Sequence, residues 1–363
     1  MKKYLLRTAA ALLAAVLLYP VSADAMSAQK AVLVDACTGR VLYQKDADSP
    51  SLIASTTKIM TALVVCQQCN VLDRVKIPKE AVGIEGSSMY LKEGEILTVQ
   101  ELLYGMMLHS GNDAAVALAI WCAGSVEAFA ERMNDKARSL GMTGTHFVNP
   151  NGLDAPNHYS TARDLAILAA HAMENPIFAQ TVSTKTVTVG QRALRNHNKL
   201  LWQVEGVDGV KTGYTKAAGR ILVSSAVRQG RRLVAVTIND GNDWVDHAAM
   251  YEEGFSKYKT RILVEKGQLL GTVSLFSGTE NQVSVVAQEE FSYALTQEET
   301  AQIVLSGPGF AYAPVAKGQT AGVAYVMLGD KVVGKVPVAY ENTVEQLVPK
   351  KAHFWEGWLG GRL

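Results

Sequence analysis

Ser55 and Lys58 stand three positions apart in Ser55-Thr56-Thr57-Lys58, within a segment of helical patterning. On a helix that spacing puts hydroxyl and amine on one face. A serine hydroxyl is a poor nucleophile until a neighbour takes its proton. A lysine can take it only when burial or a nearby positive charge depresses its pKa. The start of a helix also offers free N–H groups that favour developing negative charge. Two further stretches complement this pair. Ser110-Gly111-Asn112 lies about 55 positions on, between helical segments. Its serine can relay a proton, and its asparagine can both donate to a substrate carbonyl and accept from an amine. Lys211-Thr212-Gly213 falls on a predicted strand after Asp208-Gly209. There Lys211 supplies positive charge, Thr212 a hydroxyl for a carboxylate, and Gly213 room for substrate to approach the strand. A strand edge of this kind can dock an extended peptide. Each stretch alone is common and uninformative; the three together, in this order and at these separations, are a strong signal.

The elements that must position these residues can be read from periodicity. Residues 29–45 form two β-rich runs around Thr38-Gly39, a hairpin. Helical patterns run over about 55–65, 98–121 (interrupted at Ser110-Gly111-Asn112), 126–140 and 161–174, the last with Ser160 or Thr161 as N-cap. Asn149-Pro150-Asn151-Gly152 is a loop by turn chemistry. Strands are expected over Thr181–Val189, Gly209–Thr212, Ile221–Arg228 and Leu233–Asn239, and a helix from about Asp243 to Tyr258. This is an α+β pattern, a mostly antiparallel sheet packed with helices, spanning 26–258. From there to residue 348 short β-like runs recur (Gln268–Phe276, Gln282–Val286, Thr300–Leu305, Gly322–Leu328, Lys331–Val338), which points to a small all-β domain over 259–348.

Composition narrows the class. Hydrophobic residues make up 48% of the 363, enough for a sizeable core, and the formal net charge is +1 without a basic stripe, which argues against a nucleic-acid partner. Lys2, Lys3 and Arg7 precede an apolar stretch from Thr8 to Leu18 and then Ala23-Asp24-Ala25, the layout of a secretory signal peptide over 1–25. The stretch is short for a membrane span, and an uncleaved anchor is the alternative. The protein is therefore expected outside the cytoplasm, in the cell envelope. There the four cysteines could pair. Cys66 and Cys69 form a Cys-x-x-Cys, for which a bond is conceivable but unsupported. No second Cys-x-x-Cys and no His pair at zinc spacing accompany it, so neither metal nor cofactor is expected. Cys37 and Cys122 read as small core residues. His146, His158 and His171 read as loop or packing residues, Asp113 as a charge at a helix start, Asp208 as turn chemistry, and Trp202 and Trp244 as core.

Ser-x-x-Lys, Ser-x-Asn and Lys-Thr-Gly together are the signature of penicillin-binding proteins and class A β-lactamases. The longer stretches SLIASTTKIMTALV, MYLKEGEILTVQELLYGMMLHSGNDAAVALA, THFVNPNGLDAPNHYSTARDLA and GVDGVKTGYTKAAGRILVSSA resemble the low-molecular-mass penicillin-binding D-Ala-D-Ala carboxypeptidases, the serine peptidase S11 family. The resemblance covers roughly residues 28–258 and, more loosely, the β-rich region beyond. It implies a penicillin-binding/β-lactamase-like fold and an enzyme that removes the terminal D-Ala from peptidoglycan stem pentapeptides. By the same resemblance Ser55 forms the acyl-enzyme, Lys58 accepts its proton, Ser110 relays protons and Asn112 orients substrate. Lys211 and Thr212 hold the substrate carboxylate beside Gly213, and the backbone N–H groups of Ser55 and Tyr214 form the oxyanion hole. β-Lactam antibiotics would be covalent inhibitors.

The chain departs from the family in two places. Some members carry an arginine just before the Leu-Leu-Trp that precedes Lys-Thr-Gly; here Lys199 stands there, with His197 nearby, as candidates for that charge. Many members end in a longer amphipathic helix that anchors them to the membrane surface. The tail here (349–363) is short and rich in glycine, but Phe354, Trp355 and Trp358 could make peripheral membrane contact. A class A β-lactamase is disfavoured because no Glu-x-x-Leu-Asn lies between Asn112 and Lys211 and the chain carries an extra β module. A DD-endopeptidase differs only in substrate. A catalytically silent wall-binding scaffold should have lost a motif, and none is lost.

Overall fold

The computed structural model describes residues 26–348; the predicted signal peptide and the aromatic tail lie outside them. The chain divides into two units between Lys257 and Tyr258.

The first unit is built on a five-stranded antiparallel sheet. Its strands are β1 (Lys30–Asp35), β2 (Val41–Lys45), β3 (Val207–Thr215), β4 (Gly219–Arg228) and β5 (Arg231–Ile238), in the order β2-β1-β5-β4-β3. Strand side chains alternate between faces. Val32, Val34, Val223, Val234 and Val236 join the main core on one face. Leu33, Ala226, Leu233 and Ala235 face Met250 and Tyr251 on the other. The hairpin turn between β1 and β2 is held by Asp35, whose carboxylate accepts from the backbone N–H groups of Cys37 (3.0 Å) and Thr38 (2.9 Å).

The helical layer surrounds one helix. α1 (Lys58–Gln68) is buried without interruption from Lys58 to Cys66. A helix apolar on all sides belongs at the centre of a bundle. Around it lie α2 (Val99–Leu108), α3 (Asn112–Ala123), α4 (Val126–Ser139), α5 (Ala162–Ala172) and α6 (Pro176–Ser183), while α7 (Asp243–Lys257) covers the opposite face of the sheet. Caps mark several starts. Thr98 and Glu101 form a reciprocal capping box on α2, and Ser125 and Thr161 cap α4 and α5. The expected helix over 98–121 is thus two helices, broken at His109–Gly111. One expectation fails: Thr181–Val189 is not a single strand. Thr181–Ser183 closes α6, and only Thr186–Val189 is strand, paired with Arg192–Arg195 in a separate hairpin. Asn175 accepts from the N–H groups of Ile177 and Phe178, Pro176 pre-sets the first turn, and burial of Phe178, Thr181 and Val182 overrides the β preference of the branched residues.

The second unit is all-β. A six-stranded sheet runs in the order Ala301–Ser306, Thr320–Leu328, Lys331–Tyr340, Gln282–Ala287, Leu269–Phe276, Phe310–Tyr312; the last pair is parallel and the others antiparallel. Lys259–Val264 pairs with Phe291–Leu295. These last two strands and Phe310–Tyr312 were not among the runs expected from sequence, since short strands with mixed polarity give little period-2 signal.

One loop bears directly on α1. Asn149 accepts from Gly152 N–H (2.7 Å) and donates to the Leu153 carbonyl (2.9 Å), and the Thr61 hydroxyl donates to the Pro150 carbonyl (2.6 Å). Gly152 has φ +84°, and a Cβ there would sit 1.9 Å from the Ala54 carbonyl oxygen. Both facts demand glycine. Gly152→Ala is therefore expected to lower stability by roughly 2–4 kcal/mol, measured as a fall in the urea midpoint. A change under about 0.5 kcal/mol would show that the loop yields at no cost.

Candidate active site

Four segments meet at one place: the turn before α1, the α2–α3 junction, the 149–153 loop and the edge strand β3. Ser55 lies not on α1 but on a 3₁₀ turn, Ala54–Thr57, that leads into it. The Thr56 hydroxyl donates to the Ile53 carbonyl at 2.5 Å and tightens this turn. Thr57 is pinned from the other side by His158. The backbone N–H of Val148 donates to His158 Nδ1 (3.1 Å), so Nε2 carries the hydrogen and donates to the Thr57 hydroxyl (2.8 Å). Burial holds the His158 pKa down at about 4, so the ring stays neutral. His158 thus supports the turn that carries Ser55.

The Lys58 side chain is wholly buried, and its Nζ has three neighbours. Ser55 Oγ lies at 2.8 Å, Asn112 Oδ1 at 2.6 Å and the Asn151 carbonyl oxygen at 2.5 Å. The Asn112 amide is oriented by its own donation to the Glu85 carbonyl (2.6 Å). Burial holds the Lys58 amine well below the ordinary lysine range; the positive charge of Lys211 depresses it further, against an opposing pull from Asp113. A neutral amine has two N–H bonds and one lone pair. Asn112 Oδ1 and the Asn151 carbonyl can only accept, so they take the two N–H groups. The lone pair then faces Ser55 Oγ, in position to accept its proton.

Asp113 does more than charge a helix start. Its carboxylate accepts from the N–H groups of Met89 (3.0 Å) and Leu91 (3.1 Å) and from the Ser88 hydroxyl (2.6 Å), which ties the 88–91 loop to α3. Ser110 has φ +64° and is buried at the head of the cleft. Among the described residues no hydrogen bond links its hydroxyl to Ser55, Lys58 or Lys211. On β3, Gly213 runs against the turn: a Cβ there would lie 3.2 Å from the Ile53 carbonyl and 3.3 Å from the Ser55 nitrogen. The β3 backbone therefore flanks the Ser55 amide. Lys211 is wholly buried and donates to the Thr212 carbonyl (2.9 Å). Burial brings its pKa down to about 7.

The space in front of Ser55 is a cleft of about 920 Å³ whose lining includes Ser110, Thr212, Gly213 and Tyr214. Trp202 and Trp244, expected in the core, line this cleft instead, and Trp202 is 41% exposed. Each carries a guanidinium over its ring: Arg195 over Trp202 at 5.1 Å and Arg220 over Trp244 at 5.6 Å. Arg220 is also paired with Asp243 at 2.6 Å. Of the two candidates for the missing arginine, both line the cleft, but burial, Lys211 and His109 hold the His197 pKa at about 4. His197 is therefore uncharged near neutral pH. Asn151, Arg195 and Arg220 carried no sequence signal, because their roles arise from a backbone carbonyl or from where the chain folds. Among the described residues no group of three or more His, Cys, Asp or Glu is arranged to hold a metal ion, and no single helix is long and apolar enough to cross a membrane.

The cysteines also differ from expectation. Cys37 is exposed and Cys122 half-buried, so neither is a core residue, and all four are present as thiols.

The family model for D-alanyl-D-alanine carboxypeptidase (peptidase S11) matches residues 19–242, and that for the penicillin-binding protein 5 C-terminal domain matches residues 258–346. The chain is 32% identical over 338 residues to D-alanyl-D-alanine carboxypeptidase DacF of Bacillus subtilis, covering 89% of this chain and 87% of that protein. It is 33% identical over 366 residues to DacC of Escherichia coli, covering 93% and 91%. Penicillin-binding protein 5 from Haemophilus influenzae superposes with a TM-score of 0.78 at 31% identity, over 90% of this chain and all of that one.

The buried lysine at position 211 has a measurable consequence. The unfolded chain holds this proton up to the ordinary lysine range, while the folded chain releases it near pH 7. Folding is thus penalised most below pH 7, and the penalty shrinks as pH rises toward the ordinary lysine value. At about 1.4 kcal/mol per pKa unit the penalty is on the order of 3–5 kcal/mol. Lys211→Met should therefore have a higher urea midpoint than the natural protein at pH 6, with the gap closing toward pH 10. A gap that is independent of pH would show that Lys211 keeps its charge in the folded protein.

Proposed function

The chain belongs to the D-alanyl-D-alanine carboxypeptidase family, and on that premise we propose that Ser55 is its nucleophile and Lys58 the base that activates it. The protein is a serine-type D-Ala-D-Ala carboxypeptidase that acts on peptidoglycan. The observation that carries the residue assignment is the Lys58 amine, wholly buried and 2.8 Å from Ser55 Oγ, with both its N–H groups taken by carbonyl oxygens.

The stem peptide lies along the free edge of β3, with its terminal carboxylate toward Lys211, Thr212 and Lys199. Ser55 Oγ attacks the carbonyl of the penultimate D-Ala as its proton passes to Lys58. The N–H groups of Ser55 and Tyr214 receive the developing oxyanion; each such donor lowers the barrier by roughly 3 kcal/mol. The proton returns to the leaving amine by way of Ser110, and the terminal D-Ala departs. Asn112 orients the acylated peptide, and water then attacks the ester with the Lys58 amine as base. The depressed Lys211 pKa fits this role, since the arriving carboxylate restores its ammonium charge. β-Lactams, which present a strained amide and a carboxylate, enter by the same route and acylate Ser55. Export directed by residues 1–25, and contact of the Phe354, Trp355 and Trp358 tail with the outer face of the cytoplasmic membrane, complete this reading.

A labelled penicillin should give a single covalent adduct, located at Ser55 by peptide mass spectrometry and absent in Ser55→Ala. Lys58→Arg keeps a charge that cannot be removed, so its acylation should fall by a factor on the order of 10³ or more rather than weaken slightly. D-Ala release from a pentapeptide stem, followed in parallel with a crosslinked dimer, reads the reaction itself. An intact, folded protein that takes up no label would overturn the assignment.

A further inference from the structure

Cys69 and Cys122, far apart in sequence, come together at the far end of the helix pair that carries the site. Cys69 is the residue at which α1 stops, with extended backbone (φ −116°, ψ 147°). Cys122 lies in the last turn of α3, shortly before Gly124 ends that helix. Cys122 Sγ stands 3.7 Å from the side chain of Gln68, the residue before Cys69, the two thiols perturb one another, and both are half-buried. Arg132 of α4 bridges the two segments. Its Nη1 donates to Gln68 Oε1 (2.7 Å), to the Cys122 carbonyl (2.9 Å) and to Cys122 Sγ (3.7 Å). The Cys122 thiol donates to the same Gln68 oxygen at 3.7 Å. The other half of the Cys-x-x-Cys, Cys66, is buried one turn back inside α1.

We propose that Cys69 and Cys122 form a disulfide in the exported protein, clamping the C-terminal ends of α1 and α3. The proposal rests on the extracytoplasmic setting of the family's reaction, where such bonds persist. The geometry suits it. Cys69 lies outside the helix proper and can rotate toward its partner, closing the thiol contact to the bond length of about 2 Å. The chemistry also has a direction. The Cys69 S–H and then Arg132 bring the Cys122 pKa down to about 7, whereas Cys69 is pushed upward. The Cys122 thiolate therefore attacks one sulfur of a small-molecule or protein disulfide, forming a mixed disulfide and releasing one thiolate. Cys69 sulfur, losing its proton, then attacks Cys122 sulfur and releases the second. Two thiols become one disulfide, and the oxidant leaves as two thiols carrying the two electrons and two protons.

The consequence reaches the active site. α1 begins at Lys58 and α3 at Asn112, and the Lys58–Asn112 hydrogen bond joins these N-terminal ends. The disulfide joins the opposite ends, so the two helices cannot slide past one another without breaking a covalent bond.

The full-length mature protein is equilibrated with oxidised and reduced glutathione, denatured, alkylated and digested. The expected result is one linked peptide pair containing Cys69 and Cys122, with Cys66 alkylated. Recovery of Cys69 and Cys122 both alkylated, a Cys66–Cys69 link, or Cys122 left as its glutathione adduct would overturn the proposal. As a second measurement, a phosphine reductant should lower the Tm of the oxidised natural protein by several degrees and leave Cys69→Ser and Cys122→Ala unmoved; an equal shift in all three would also overturn it. Penicillin labelling of Ser55 needs neither cysteine, so failure of the disulfide and failure of the enzymatic reading remain distinguishable.

Discussion

The structure depends on the placement of one amine. Lys58 sits at the start of a helix whose next eight residues are also buried. Desolvation of this kind disfavours the charged form. Burial holds the pKa of the amine well below the ordinary lysine range, two carbonyl acceptors satisfy it, and it faces Ser55. A free lysine on a helix surface would be protonated and useless as a base. The large helical core therefore creates a medium in which lysine changes its protonation state, as well as stabilising the fold.

That requirement explains why the site draws on distant parts of the chain. Asn112 supplies one acceptor from the head of α3, and its amide is turned by the Glu85 carbonyl. Asn151 supplies the other from a loop that can touch Ala54 only because residue 152 is glycine. Gly213 makes the same allowance on β3, letting the strand edge lie against the Ser55 amide. Close approach of backbones is what brings Ser55, Lys58 and the edge of β3 together. It also leaves buried lysines that cost stability, a common trade where activity needs a destabilised group.

The cleft wall shows a second physical theme. Trp202 and Trp244 are amphipathic rings kept at the surface by guanidinium partners rather than withdrawn into the core. Arg195, Lys199 and Arg220 line the cleft, while burial keeps His197 uncharged near neutral pH.

Residue types and their spacing set the local chemistry and its register. Ser55 and Lys58 had to share a helical face, Lys211-Thr212-Gly213 had to lie on a strand, and the all-β texture beyond residue 258 was legible from short runs and turns. The helix α6 was misread because Thr181 and Val182 favour strands locally, and only burial against the core reverses that preference. Asn151 was invisible because it acts through a carbonyl that every residue possesses. The pairing of Cys69 with Cys122 was invisible because it depends on where two helices end. Trp202 and Trp244 were assigned to the core because hydrophobicity does not say which side of a wall a ring occupies. Sequence specifies which groups can do chemistry; only the tertiary structure decides which are dehydrated, which backbones touch and which distant residues become neighbours, because those are properties of packing and not of spacing along the chain.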